Sequence, residues 1–483
     1  MKYSKLSILA LSAVVTFSAC NDKLDLAPSD AQENGVAVNE SNVKLLANGL
    51  YEKAQELEYY GRDFMVTTDV GGIDMKITGD NSNRFIQEFQ YLYLPLVSPQ
   101  TKTWLNAYRV ANQASVIIDK LPTNANTSPY KGEAYFMRAL AHLDLTRRYT
   151  RPYTGTAVGG GKVDPNAENS GITLITKAAE SAPNTLKPKR NTLKETYDFI
   201  ISDLKQAQQL APASKPNTQA SFRASQQAAT ALLSRVYVYM GDWTNAVAEA
   251  SKLIGTYPLW EADGLLAAYT ADNPTSEDIF SLRFLTAENR GSNNFGYIYL
   301  PKDPASSVQG YGDIRLSDSF MSILDVKDAR RSLIKLFNGN NYLIKWQGNG
   351  QGFVGMVNVK ILRISEVLLN RAEAYAEMKN LTGAVADINT LRAKRGLAPY
   401  AGNVTDAAVI TEIKQQRRLE LVGEGQAMTD LFRKNDVRII NDKDAILPPN
   451  MEVKPDNFRV AYPIPQTEVD ANANMVQNPG YPK

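Results

Sequence analysis

The residues best suited to chemistry in this chain are aromatic, and they gather where the sequence is otherwise rich in Gly, Asn, Ser and Pro. Phe89, Tyr91 and Tyr93 follow Asn81, Asn83 and Arg84. Tyr297, Tyr299 and Tyr311 lie between Asn289 and Asp318, and Trp346 lies in the Gly-rich stretch from Asn338 to Gly355, beyond Tyr342 and between Lys345 and Gln347. The electron-rich face of an aromatic ring attracts the positive edges of C–H bonds. Amides and a planar guanidinium beside it can satisfy buried hydroxyls, each of which is costly if left unpaired. Such a set suits hydroxyl-rich rings, and Trp346 is its leading member. Tyr91 and Tyr93 alternate with Leu92 and Leu94, so one side of that segment is expected to face a core.

Residues for bond-breaking are scarcer. Asp69 and Asp74 could meet as the carboxylate pair of a glycoside hydrolase. Arg417, Arg418, Glu420 and Glu424 are spread around several faces of one helix, which favours ion pairs and helix-end contacts over an acid–base centre. His142 is the only histidine and Cys20 the only cysteine, so metal or triad chemistry that needs several such ligands is excluded. Gly159, Gly160 and Gly161 lack the spacing and following helix of a phosphate loop. Acidic loops such as Asp303 to Asp318 offer oxygen ligands for calcium without EF-hand spacing, and no cofactor is expected.

The elements that must position these loops are helical. From Leu232 to Pro258, Ser234, Tyr237, Gly241, Ala246, Ala250 and Pro258 fall at tetratricopeptide spacing. Small residues let two helices approach while the tyrosine fills the groove between turns. Ala372, Tyr375, Lys379 and Ala384 repeat the offsets, with lysine in place of the turn glycine. One hairpin cannot bury its own apolar face, and amphipathic stretches at Val43–Glu58, Thr101–Lys120, Lys131–Arg148 and Leu193–Leu210 supply partners. The expected fold is mainly α, a scaffold of tetratricopeptide-like hairpins whose long loop-rich insertions carry the ligand site.

At the N-terminus, Lys2 and Lys5 precede an apolar run from Leu6 to Phe17 that ends in Ser18, Ala19 and Cys20. That pattern predicts a lipoprotein signal over residues 1–19, acylation of Cys20, and a polar tether over residues 20–42. The rest, 43–483, is expected as one unit with parts at about 43–260 and 261–483, because stacked repeats share one core. The 53 Lys and Arg against 51 Asp and Glu give +2, and loss of Lys2 and Lys5 leaves zero, so charge offers no case for nucleic acid.

Several separated blocks also carry a family resemblance. The C-terminal ones are ILRISEVLLNRAEAYAEMKNLTGAVADINTLRAKRGL (Ile361 to Leu397), IKQQRRLELVGEGQAMTDLFR (Ile413 to Arg433) and YPIPQTEVDANANMVQNPGY (Tyr462 to Tyr481). Upstream are WLNAYRVANQASVIIDKLP (Trp104 to Pro122), GEAYFMRALAHLDLTRRYTRPY (Gly132 to Tyr153) and the segment FMSILDVKDARRS. Together they resemble the SusD/RagB nutrient-binding lipoproteins. The resemblance implies a tetratricopeptide-containing fold on the outer leaflet of the outer membrane, without enzymatic activity. It also implies binding of oligosaccharides or, in some branches, peptides, and pairing with a SusC-like TonB-dependent barrel. It departs in the middle loops, where members with different ligands differ. A tetratricopeptide assembly scaffold and a glycoside hydrolase are the rival readings from other classes.

Overall fold

The computed structural model describes residues 38–96, 99–178, 187–448 and 451–482. The predicted signal, Cys20 and most of the tether therefore lie outside the described residues.

Among the described residues, apolar residues at three- and four-residue spacing form eleven principal helices: α1 Val43–Ala54, α2 Asp63–Val70, α3 Gln100–Lys120, α4 Ser128–Tyr149, α5 Leu193–Leu210, α6 Gln226–Met240, α7 Trp243–Ser251, α8 Ile364–Glu377, α9 Leu381–Lys394, α10 Asp406–Leu421 and α11 Ala427–Arg433. Packing follows the chain, with α3 on α4, α4 on α5, α5 on α6 and α6 on α7. The series then continues from α7 directly to α8, and α8 packs on α9 and α10. Residues 252–363 leave the helical stack between α7 and α8 and supply short strands and loops. Glu40–Lys483 form one compact unit. The fold is mainly α, and no helix among the described residues is long and apolar enough to cross a membrane.

Both hairpins read from the sequence are present, α6/α7 and α8/α9. Ser234, Ala246, Ala250, Ala372 and Ala384 are fully buried where the helices meet. The turns match bond for bond. Gly241 takes φ 73°, Asp242 N–H donates to the Tyr237 carbonyl, and the Asp242 side chain caps Asn245 N–H. Lys379 takes φ 65°, Asn380 N–H donates to the Tyr375 carbonyl, and the Asn380 side chain caps Gly383 N–H.

A Cβ is disfavoured in this left-handed conformation. The Lys379–Asp406 pair that Lys379→Gly would remove is exposed and worth little. Lys379→Gly should therefore raise Tm, by about 1–2 °C for a chain of this size. A scanning-calorimetry trace showing a lower Tm would refute the strain argument.

Among the described residues the strands make four two-stranded antiparallel ladders: β1 Met75–Ile77 with β3 Ile314–Leu316, β2 Asp278–Leu282 with β6 Val359–Arg363, β4 Ile334–Phe337 with β5 Asn340–Leu343, and β7 Arg438–Ile439 with β8 Glu452–Val453. The β1/β3 ladder joins segments more than two hundred residues apart, pairing Met75 with Leu316 and Ile77 with Ile314. The chain running on from Ile77 and the chain leading into Ile314 are thereby brought together.

Candidate ligand-binding site

Beyond Ile77 the chain folds into a tight polar loop. Asn81 Oδ1 accepts Asn83 N–H at 2.7 Å, while Asn83 and Phe85 both take left-handed φ, 61° and 59°. Ser82 N–H donates to Asp313 Oδ1 at 2.9 Å, which ties this loop to the segment entering β3. Buried Asp313 also lies 3.9 Å from the Arg84 guanidinium.

Held in this way, Arg84 lies over the ring of Tyr311, 3.9 Å from its centroid. Tyr311 in turn meets Tyr297 edge to face, with centroids 4.9 Å apart and planes at 73°. Arg84, Tyr297 and Tyr311 are half-buried and Asn83 is exposed. Four of the residues singled out by sequence are thus brought together on one surface.

A cleft of about 470 Å³ opens beside them, lined by Arg62, Asn83, Arg84, Phe85, Gln87 and Glu88 among others. Arg62 reaches it from the start of α2. It donates through Nε to Asp63 at 2.7 Å and through Nη1 to Asn293 at 2.9 Å, and lies 5.5 Å from the Phe85 centroid. Burial raises the carboxyls of Asp63 and Glu88 above the usual range, and Gln100 donates to Glu88 at 2.7 Å. The arrangement presents planar donors, amides and carboxyls beside aromatic rings. Sequence reasoning missed Arg62 and Asp313. The one local signal was the Asn-Ser-Asn run, whose residues tolerate left-handed backbone and form side-chain turns.

The other five aromatic candidates are core residues, which corrects the expectation that they form exposed platforms. Trp346 is 0 % exposed, Tyr299 0 %, Phe89 0 %, Tyr91 1 % and Tyr93 3 %. The Trp346 ring packs edge to face on Tyr269 and Phe295, and its Nε1 donates to the Gly423 carbonyl at 3.1 Å. Glycine around Trp346 marks close packing rather than an open loop. A Cβ at Gly296 would collide with the Trp346 carbonyl oxygen, and one at Gly423 would stand 2.9 Å from the indole nitrogen.

Tyr299 turns inward and donates to Asp69 at 3.2 Å. Tyr91 donates to the Gly71 carbonyl and lies 5.0 Å beneath Arg438, while Tyr93 stacks on Tyr462 at 4.3 Å. The alternation with exposed Leu92 and Leu94 put the aromatics inside, the opposite of what a platform needs.

The residues considered for bond-breaking, Arg418 apart, are buried as well. Asp69 accepts Gly425 N–H, and Asp74 is paired to Arg418 at 2.7 Å. Glu420 and Glu424 belong to a buried ionic lattice with Arg330, Lys345, Arg363 and Arg395, and Arg417 holds Asp430 at 3.2 Å. His142 is fully buried and accepts Ile175 N–H at 3.2 Å.

Comparison with known proteins agrees with this architecture. Residues 335–481 match the SusD family, and residues 22–238 match the family described as "Starch-binding associating with outer membrane". The chain belongs to the SusD/RagB family. A SusD-like protein of Formosa agariphila is 22 % identical, covering 90 % of this chain and 92 % of that one. A SusD superfamily protein from Bacteroides thetaiotaomicron VPI-5482 superposes with TM-score 0.78 at 26 % identity, covering 92 % of this chain and all of that one. A candidate sugar binding protein from Bacteroides vulgatus ATCC 8482 superposes with TM-score 0.79 at 27 % identity, covering 92 % of this chain and 98 % of that one.

Arg84 lies inside the first matched stretch of this SusD-like chain, whereas Tyr297 and Tyr311 lie in residues 239–334, which neither match covers.

Proposed function

We propose that this SusD-like protein captures oligosaccharides at the cell surface and passes them, without cleaving them, to a SusC-like TonB-dependent transporter in the outer membrane. Acylated Cys20 would hold it on the membrane, with residues after it as a tether. The observation that carries the reading is the half-buried stack of Arg84, Tyr311 and Tyr297 beside a cleft of about 470 Å³. It is the one place where the aromatic candidates reach solvent with planar donors at hand. A family match described as starch-binding and a structural neighbour described as sugar binding support the ligand class. The buried state of Asp69, Asp74, Glu420 and Glu424 supports capture over hydrolysis.

The test is a glycan array, with peptide pools alongside, probed with soluble protein beginning at Asn21 and assayed for product release. Saturable glycan binding without release is the expected result. Tyr311→Ala should then weaken binding by about tenfold, the scale of one aromatic and cation–π contact, while leaving the thermal transition in place because the ring is half exposed. Unchanged affinity in that variant would place the ligand elsewhere, and released reducing ends would make the protein an enzyme.

A further inference from the structure

We propose that the site beside Arg84 and Tyr311 takes uncharged oligosaccharides and turns away those bearing uronate or sulfate groups, an inference that rests on the capture role proposed above and specifies its ligand. Two arginines, Arg62 and Arg84, line the cleft, and either could hold an anionic sugar if its charge were free. Neither charge is free. Arg62 donates through Nε to Asp63 Oδ1 at 2.7 Å, and Asp63, at the start of α2, is itself buried and lines the cleft. Arg84 has buried Asp313 at 3.9 Å from Nη1, and the same Nη1 donates to the Ser82 hydroxyl, which donates to Asp313 in turn.

The rest of the lining is acidic or neutral. Glu88 is buried and accepts from the Gln100 amide at 2.7 Å. Two guanidiniums therefore stand against Asp63 and Glu88, with Asp313 behind Arg84. Further out, Lys102 pairs with Glu58 at 2.7 Å, and Arg290 stands among Glu56, Glu58 and Glu288. An anionic ring entering here gives up hydration, meets Asp63 and Glu88, and gains no net attraction in return.

A hydroxyl is served by the same groups. Among the described residues, Nη2 of Arg62 and Nη2 of Arg84 make no hydrogen bond, so each guanidinium keeps N–H groups to donate while a carboxylate offsets its charge. Exposed Asn83 and Gln87 add amides that both donate and accept. Sugar hydroxyls do both as well and match this set, whereas a carboxylate or sulfate only accepts and leaves the amide oxygens and Glu88 without a donor.

The test titrates neutral hexasaccharides of glucose, xylose, mannose and galactose, and the hexamers of galacturonate and of sulfated chondroitin, into soluble protein beginning at Asn21, followed by calorimetry. A neutral ligand is expected to bind saturably, with an affinity that changes less than about twofold between about 50 mM and 500 mM NaCl. Both acidic hexamers should bind about tenfold more weakly or worse. Gln87→Lys, which puts an unpaired cation on the lining from an exposed position, should strengthen galacturonate binding about fivefold and leave the neutral ligand unchanged. An acidic hexamer that binds as tightly as the neutral ones, or no gain for galacturonate in the Gln87→Lys protein, would overturn the choice of uncharged ligands and leave glycan capture standing. Failure of every saccharide to bind would overturn both.

Discussion

Arg363→Met is expected to cost about 3–5 kcal/mol of folding free energy, read as a lower urea midpoint, because it leaves buried carboxylates without their shared cation. Arg363 donates through Nη1 to Glu277 at 2.6 Å and to Glu420 at 3.0 Å, and through Nη2 to Glu424 at 2.7 Å. Arg395 joins the same Glu277 and Glu420, Lys345 joins Glu424 at 2.8 Å, and Arg330 pairs with Asp328 and Glu420. Four cations thus face four carboxylates, and every one of them is buried. The lattice joins β6, α9, α10 and the loops that seat Trp346, so its loss is felt across the C-terminal half of the fold.

The opposing charges hold Glu420 and Glu424 below the usual carboxylate range against the effect of burial. Depressed carboxyls contribute stability above the unfolded pKa, and that stability is lost as pH falls through the folded one. In the variant three cations are left to four buried carboxylates, and the cluster can instead take up a proton. The gap between wild type and Arg363→Met should therefore narrow below about pH 4.5, near the ordinary glutamate pKa. A midpoint equal to wild type at pH 7 would show that the lattice does not bind these elements together.

The same lattice explains why the scaffold was legible in the sequence and half of the site was not. Helices announce themselves locally. The periodicity at Val43–Glu58, Thr101–Lys120, Lys131–Arg148 and Leu193–Leu210 is met by α1, α3, α4 and α5, and Ala372, Tyr375 and Ala384 fixed the second hairpin even without its turn glycine. The tertiary setting of Trp346 has no such local signature. Its Gly-rich flanks read equally as a mobile loop or as close packing, and the choice is made by Gly296 and Gly423, which lie 50 and 77 positions away in the chain. Arg84 and Tyr311 were found as chemical types, but their contact depends on the β1/β3 pairing and on Asp313, neither of which leaves a mark in the local pattern. Arg62 escaped altogether, because a lone arginine before a helix is ordinary until Phe85 and Asn293 meet it.

Two fully buried groups should give the protein opposite responses to acid, and single substitutions should unmask each. Burial pushes the Asp69 carboxyl up to about 7, outweighing the Gly425 N–H it accepts and the nearby Lys345. Burial, helped by Arg138, pushes His142 down to about 3. For Asp69 the folded protein binds a proton that the unfolded chain releases between about pH 7 and pH 3.9, so stability rises as pH falls through that window. For His142 the unfolded chain binds a proton that the folded protein refuses between about pH 6.5 and pH 3, so stability falls there. Each gap corresponds to about 4–5 kcal/mol in total, at about 1.4 kcal/mol per pH unit, and from about pH 6.5 to pH 4 the two slopes cancel. Asp69→Asn keeps an oxygen for Gly425 N–H and an amide for the Tyr299 hydroxyl, and it removes only the first slope. Its stability should exceed that of wild type at pH 8 and fall below it on acidification, by about 1.4 kcal/mol per unit more steeply than wild type. His142→Gln can still accept Ile175 N–H, and its curve should instead gain on wild type as pH falls. Urea midpoints for the three proteins between pH 4 and pH 8 decide the matter. The remaining titrating groups are common to all three and drop out of the differences, so parallel curves would show that neither burial perturbs its group as the packing requires.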